Sequence, residues 1–195
     1  AVEGYFHTRS FKRYALRMLL FAVLSEVPFD LMYGGTVFYP VHQNVIWTLL
    51  LGLLGIRLME AARAKGKRWL YVLTCAAVVV LGFALGTLGM VDYYGAGVLT
   101  VFAFYFFRER KWWCLLGQLA ALYWLNVVVL GGQMYPVTLF GREIELCEQG
   151  LALLALVPIW LYRGRQGHHS KAFQYACYAF YPAHMLVLAL PTMIQ

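Results

Sequence analysis

Apolar residues run through this chain in long stretches, and the polar residues gather between them. The stretches 70–88 and 115–130 approach the roughly 20 residues that a helix needs to cross a bilayer. Breakers and caps divide the chain into about seven helices. The first covers 11–27, behind a Ser10 cap and up to Pro28, and a loop with Tyr33, Gly34, Gly35 and Pro40 follows. The others cover 44–62, 68–88, 93–107, 111–130, 143–162 and 171–190. The fourth, at roughly 15 residues, is short for a full span and tilts little or is partly re-entrant. No repeat, low-complexity stretch or long linker interrupts the pattern. The expectation is one all-α, polytopic transmembrane helix bundle over 1–195.

Composition sharpens this picture. With 62% hydrophobic and 13% charged residues among 195, a soluble globule, a disordered chain and a collagen are all excluded. The net charge of +7 raises the question of nucleic acid, but the cations sit in short clusters between apolar runs. There they act as topology signals and contacts for anionic lipid, so the bilayer is the expected partner and no nucleic acid is. If the helices alternate in direction, 15 of the 16 Lys and Arg fall on one side, leaving Arg142 opposite. That asymmetry predicts seven crossings of the cytoplasmic (inner) membrane, with the N-terminal end cytoplasmic and Gln195 outside. Trp69, Trp112, Trp113 and Trp160 then form an aromatic belt. Cys75, Cys114, Cys147 and Cys177 lie singly in apolar runs, so they read as small buried hydrophobes without a disulfide or metal role. There is no initiating Met, and residues 1–9 lack the order of a signal peptide, which suggests a start inside something longer.

Motifs of soluble enzymes are missing, so chemistry has to come from polar groups inside the apolar runs. Counting the helical rise of about 1.5 Å per residue places Glu26, Asn126 and His184 roughly 20 to 22 Å from the cytoplasmic edge. Glu148, entering from the far side, reaches the same layer. One reading is a polar chamber open to Asp30, His42, Asn44, Asp92 and Glu145; the other is a set of interhelical hydrogen bonds. His184 follows Pro182, whose missing N–H frees a backbone carbonyl, and it is a candidate base. His42, Gln43 and Asn44 open the second helix, where they either serve the site or cap the helix. His168 and His169 fall in a solvated basic loop. Arg9, Arg13 and Arg17 recur every four residues on one face, which suits lipid headgroups or the phosphates of a nucleotide-like donor. Glu60 sits between Arg57 and Arg63 as a helix-surface ion pair.

Four segments are diagnostic in combination: 1–9; 19–30 with Ser25-Glu26-Val27-Pro28-Phe29-Asp30; 43–52 opening on Gln43-Asn44-Val45-Ile46-Trp47; and Phe180-Tyr181-Pro182-Ala183-His184. Together they resemble the TraX family, part of a wider group of multispanning membrane acyltransferases. The resemblance implies transfer of an acetyl group from acetyl-CoA to an amine or hydroxyl of a peptide or carbohydrate acceptor, without metal. The family's namesake acetylates the N-terminal amine of conjugative pilin. The family pattern marks Glu3, Glu26, Pro28, Asp30, Gln43, Asn44 and His184. It also implies two further helices upstream, the first with a Met-x-x-Asp-His motif that holds a catalytic His. On this reading His184, Glu26, Asn44 and His42 are catalytic, and Arg9, Arg13 and Arg17 bind the donor. Asp30, Gln43, Asn126 and Glu148 bind the acceptor. Two alternatives remain, a non-catalytic membrane subunit and a small transporter, and a homo-oligomer is compatible with all three.

Overall fold

The computed structural model describes residues 1–139, 141–162 and 170–193. The elements are α1 (Val2–His7), α2 (Phe11–Gly34), α3 (Val45–Ala64), α4 (Arg68–Leu88), α5 (Tyr94–Phe106) and α6 (Trp112–Tyr123). A π-helical continuation of α6 (Trp124–Leu130), β1 (Met134–Leu139), β2 (Arg142–Cys147), a 3-10 turn (Glu148–Ala155), α7 (Leu156–Leu161) and α8 (Lys171–Met193) follow. The protein is therefore mainly helical, as its pattern of apolar runs predicts. Three helices, Val45–Ala64, Arg68–Leu88 and Trp112–Leu130, are long and apolar enough to cross a membrane.

Packing runs as a layer, with α8 against α2, α2 against α3, and α3 sharing both α4 and α5. Helices α2 to α5, consecutive along the chain, alternate in direction, with Glu26 meeting Asn44 and Trp47 at the start of α3 and Phe11 meeting Arg57 towards its end, so the bundle has two distinct ends. At one, Arg57 lies over the Phe11 ring and Arg108 over Phe6, and this end collects the basic loops. At the other, the loop 35–44, the start of α3 and the loop between α4 and α5 meet. Glycines set the closeness of the central helices. A Cβ on Gly95 would come within 2.5 Å of the Phe83 carbonyl, and one on Gly86 within 2.9 Å of the Tyr94 carbonyl. At that crossing α4 and α5 touch backbone to backbone.

Two expectations are corrected. The first helix does not stop at Pro28 but continues through it to Gly34, where Gly35 closes it with φ +65°. Pro28 costs a backbone hydrogen bond, yet Phe29 and Asp30 just beyond it are buried, and their packing carries the helix on. The expected helix 143–162 is not one element. Ile144 and Leu146 alternate with Glu143 and Glu145, a period of two rather than 3.6, and the segment pairs as β2 with β1 in an antiparallel hairpin. The helical part is Glu148–Leu161, a 3-10 turn that runs into α7. Cys177 also departs from expectation by being exposed, whereas Cys114 and Cys147 are buried. His168 and His169 lie outside the described residues.

At the basic end α1 is clamped onto α5. Arg108 Nε donates to Glu3 at 2.7 Å and Nη2 to its second oxygen at 3.2 Å. Glu60 is held chiefly by the Tyr105 hydroxyl, at 2.6 Å, and more loosely by Arg63 at 3.5 Å. The Arg108 guanidinium holds the Glu3 carboxyl below the ordinary glutamate value. Its contribution is thus present at neutral pH and lost as the pH falls through that lowered value. Because the pair is largely exposed, Glu3→Gln should cost less than about 1 kcal/mol. Amide exchange in α1 should rise in the variant at neutral pH, and in the wild type only on acidification. By contrast Gly95→Ala, which forces two backbones apart, should cost about 1–3 kcal/mol in thermal unfolding.

Candidate functional site

Asn44 is the pivot of the far end. Its backbone is extended, and its Oδ1 accepts from the Ile46 N–H at 3.0 Å, so it is the N-cap of α3. The same side chain looks back at α2: Nδ2 donates to the Ala22 carbonyl at 2.8 Å and to Glu26 Oε2. One turn into α3, Trp47 Nε1 donates to the same Glu26 oxygen at 2.9 Å. Glu26 is thus fixed through Oε2, while Oε1 is buried without a partner among the described residues. Asp30, one turn along α2 and 3% exposed, repeats the arrangement. Its Oδ2 accepts from the Tyr39 N–H at 3.0 Å, and its Oδ1 is unpartnered, as is Ser25 Oγ. Three polar oxygen atoms on two turns of α2 are therefore buried without a hydrogen-bond partner among the described residues.

A second pair faces this group across the end of the bundle. His42, buried, places Nε2 3.3 Å from Asp92 Oδ1. Its ring is stacked on Tyr33 at 4.6 Å and on Phe29 at 5.6 Å, with Tyr94 edge-on at 5.8 Å. Asp92 is set by a strained loop, in which Met90, Tyr93 and Tyr94 all have φ between 49° and 58°. Two bonds tie that loop to α3: Thr48 Oγ1 donates to the Asp92 carbonyl at 2.7 Å, and the Gln43 N–H to the Met90 carbonyl at 2.8 Å. Burial pushes the Asp92 carboxyl up, and the His42 contact opposes it. With Nε2–H donating to Asp92, the Nδ1 of a neutral His42 is left as an acceptor.

Tyr181 reaches in from α8. Its hydroxyl lies beside Val45, at the first turn of α3, within electrostatic reach of both Glu26 and Asp92. Neither Tyr181 nor Trp47 was among the residues singled out by sequence reasoning. The available signal was position, since Tyr181 lies one turn before His184 and Trp47 one turn after the Asn44 cap.

The other expected residues are placed differently. His184 Nδ1 lies 3.0 Å from the Phe180 carbonyl, and its ring packs on Phe180 and edge-on to Tyr181, all on α8. Asn126 is buried but donates to the Leu122 carbonyl of its own helix at 2.9 Å. Glu148 is the exposed first residue of the 3-10 turn that follows β2, its N–H donating to the Gln133 carbonyl at 3.0 Å. Its assigned depth therefore falls with the helix 143–162. Among the described residues no hydrogen bond or ion pair joins Glu26, Asn126, Glu148 and His184 to one another. Gln43 bonds the Pro40 carbonyl at 3.1 Å, and Glu145 is exposed on β2. Arg9, Arg13 and Arg17 are exposed at the basic end, Arg13 lying about 20 Å along α2 from Glu26. Among the described residues no cluster of His, Cys, Asp and Glu suits a metal ion.

The family described as "TraX protein" matches residues 1–191. The chain belongs to the TraX family. A relative named "Probable fimbrial assembly protein FimC, serogroup H1", from Dichelobacter nodosus, is 26% identical over 197 residues, covering 96% of this chain and 74% of that protein. No solved structure matches. In this TraX chain the two hydrogens of the Asn44 amide are already committed to Ala22 and Glu26. Asn44 is therefore a holder of Glu26 rather than a donor free for a substrate oxygen.

Asn44→Ala should remove both a helix cap and a carboxylate partner, at about 2–4 kcal/mol in thermal unfolding. Asn44→Asp keeps the cap but sets two carboxylates together. It should destabilise at neutral pH and recover on acidification, whereas the alanine variant should not recover.

Proposed function

We propose that this TraX protein is an integral-membrane acyltransferase that moves an acetyl group from acetyl-CoA to an amine or hydroxyl, with the basic end in the cytoplasm. The observation that carries the reading is the His42–Asp92 pair at 3.3 Å, set at the same end of α3 as the carboxylate that Asn44 holds. A base oriented by a carboxylate is the arrangement that activates a nucleophile. The printed name of the Dichelobacter nodosus relative, a probable fimbrial assembly protein, favours a pilus subunit as acceptor, and hence a peptide amine.

In the proposed reaction, Glu26 Oε1 and Asp30 Oδ1 orient the acceptor, and His42 Nδ1 takes its proton. The acceptor nitrogen or oxygen then attacks the thioester carbonyl carbon. The Tyr181 hydroxyl, beside the first turn of α3, donates to the developing oxyanion. The carbon–sulfur bond breaks, and the thiolate of CoA leaves with the proton that His42 held. Arg9, Arg13 and Arg17 meet the donor's phosphates at the basic end. Asn126 and Glu148 have no step in this scheme, and His184 acts through its packing on Tyr181.

Acetyl transfer from labelled acetyl-CoA to a short peptide, with protein reconstituted in nanodiscs, tests this. His42→Ala should lower turnover by roughly 10²-fold or more, and His184→Ala should change it much less. Loss in His184→Ala with full turnover in His42→Ala would move the base to α8. Arg13→Gln with Arg17→Gln should raise KM for acetyl-CoA and leave kcat unaltered; an unaltered KM would assign these arginines to lipid.

A further inference from the structure

The turn between α3 and α4 carries a group of cations that the reaction above does not use. It borders a shallow, open recess of about 200 Å³ lined by Arg63, Gly66, Lys67, Arg68 and Tyr71. Gly66 adopts φ +70°, and a Cβ there would meet nothing within 4 Å, so this wall is bare backbone beside open space. The nearest acid is Glu60, 3.5 Å from Arg63, but the same Glu60 oxygen already accepts the Tyr105 hydroxyl at 2.6 Å. Arg63 therefore keeps most of its five donors. Tyr71, whose hydroxyl lies 3.5 Å from that of Tyr105, is anchored at the back of the recess. The 21-residue α4 starts here, and its N-cap Lys67 makes no side-chain cap bond, so first-turn N–H groups add positive charge.

Three cations and a helix start around a space of this size suit a compact dianion better than a single carboxylate, and two Arg forks match phosphate geometry. We infer that the α3–α4 turn is a phosphate-binding cradle that takes a phosphate group of the acyl-CoA donor. The identity of the donor rests on the proposed acyltransferase function; the cradle does not. A lipid phosphate presents the same chemistry, and the experiment separates the two.

Calorimetry in nanodiscs of zwitterionic lipid would use CoA and 3′-phosphoadenosine 5′-phosphate as probes, and thermal shift on adding phosphatidylglycerol would give the lipid arm. The variant is R63K/R68K, which keeps the charge that governs topology but loses both forks. A labelled cysteine at position 66 and the unfolding temperature check that it is folded and correctly inserted, and R63Q alone serves if it is not. The cradle predicts that both nucleotide probes bind the wild type and weaken roughly tenfold or more in the variant. If the wild type binds neither nucleotide but loses its phosphatidylglycerol shift in the variant, the cradle stands as a lipid site and the acetyl-CoA reading falls. Nucleotide and lipid responses that are the same in wild type and variant would overturn the cradle.

Discussion

A carboxylate half-buried among apolar helices must be held, and the Asn44 side chain is what holds Glu26. One amide performs two tasks there: its oxygen starts α3 and its nitrogen crosses to α2. An isolated charge at such a position costs far more than a single hydrogen bond returns. The cap consequently fixes the register of α2 against α3, and Trp47 completes the hold on the same oxygen. The opposite oxygen is left as an acceptor because two donors approach from one side only.

The remainder of the far end follows from that register. With α3 placed, Thr48 and Gln43 anchor the loop between α4 and α5, which carries Asp92 to His42. The backbone contact of α4 with α5 at Gly86 and Gly95 draws the two helices together and leaves a loop with three residues in the left-handed region. Strain of that kind persists where surrounding contacts over-determine it. Tyr181 then closes the group from α8, touching the first turn of the helix that Asn44 caps.

Much of this was legible in the chain. The apolar runs located α3, α4 and α6 with its π-helical continuation to within about two residues, because length and hydrophobicity dominate in lipid. Asn44, Glu26, Asp30, His42 and Asp92 were all visible as polar residues out of place. Depth counting failed where its premise failed. Glu148 was assigned to a layer by counting along a helix from Glu143, but 142–147 is a hairpin strand and the helical stretch starts only at Glu148; alternation at Ile144 and Leu146 was the overlooked signal. Pro28 misled in the opposite way, since tertiary packing of Phe29 and Asp30 overrode a local breaker. Depth also carries no azimuth. Asn126 sits well inside its helix yet turns to the Leu122 carbonyl of the same helix, and no count along one helix distinguishes that from a chamber wall.

The central claim is that Glu26, as held by Asn44, and the Tyr181 hydroxyl belong to one acetyl-transfer centre. The most direct measurement is a double-mutant cycle on acetyl-transfer rates in nanodiscs, comparing Glu26→Gln, Tyr181→Phe and the combination. Residues acting as a unit are non-additive, so the account predicts a large loss for each single change and a combined loss well below their product. Near-wild-type rates in both single variants, or losses that simply multiply, would contradict it.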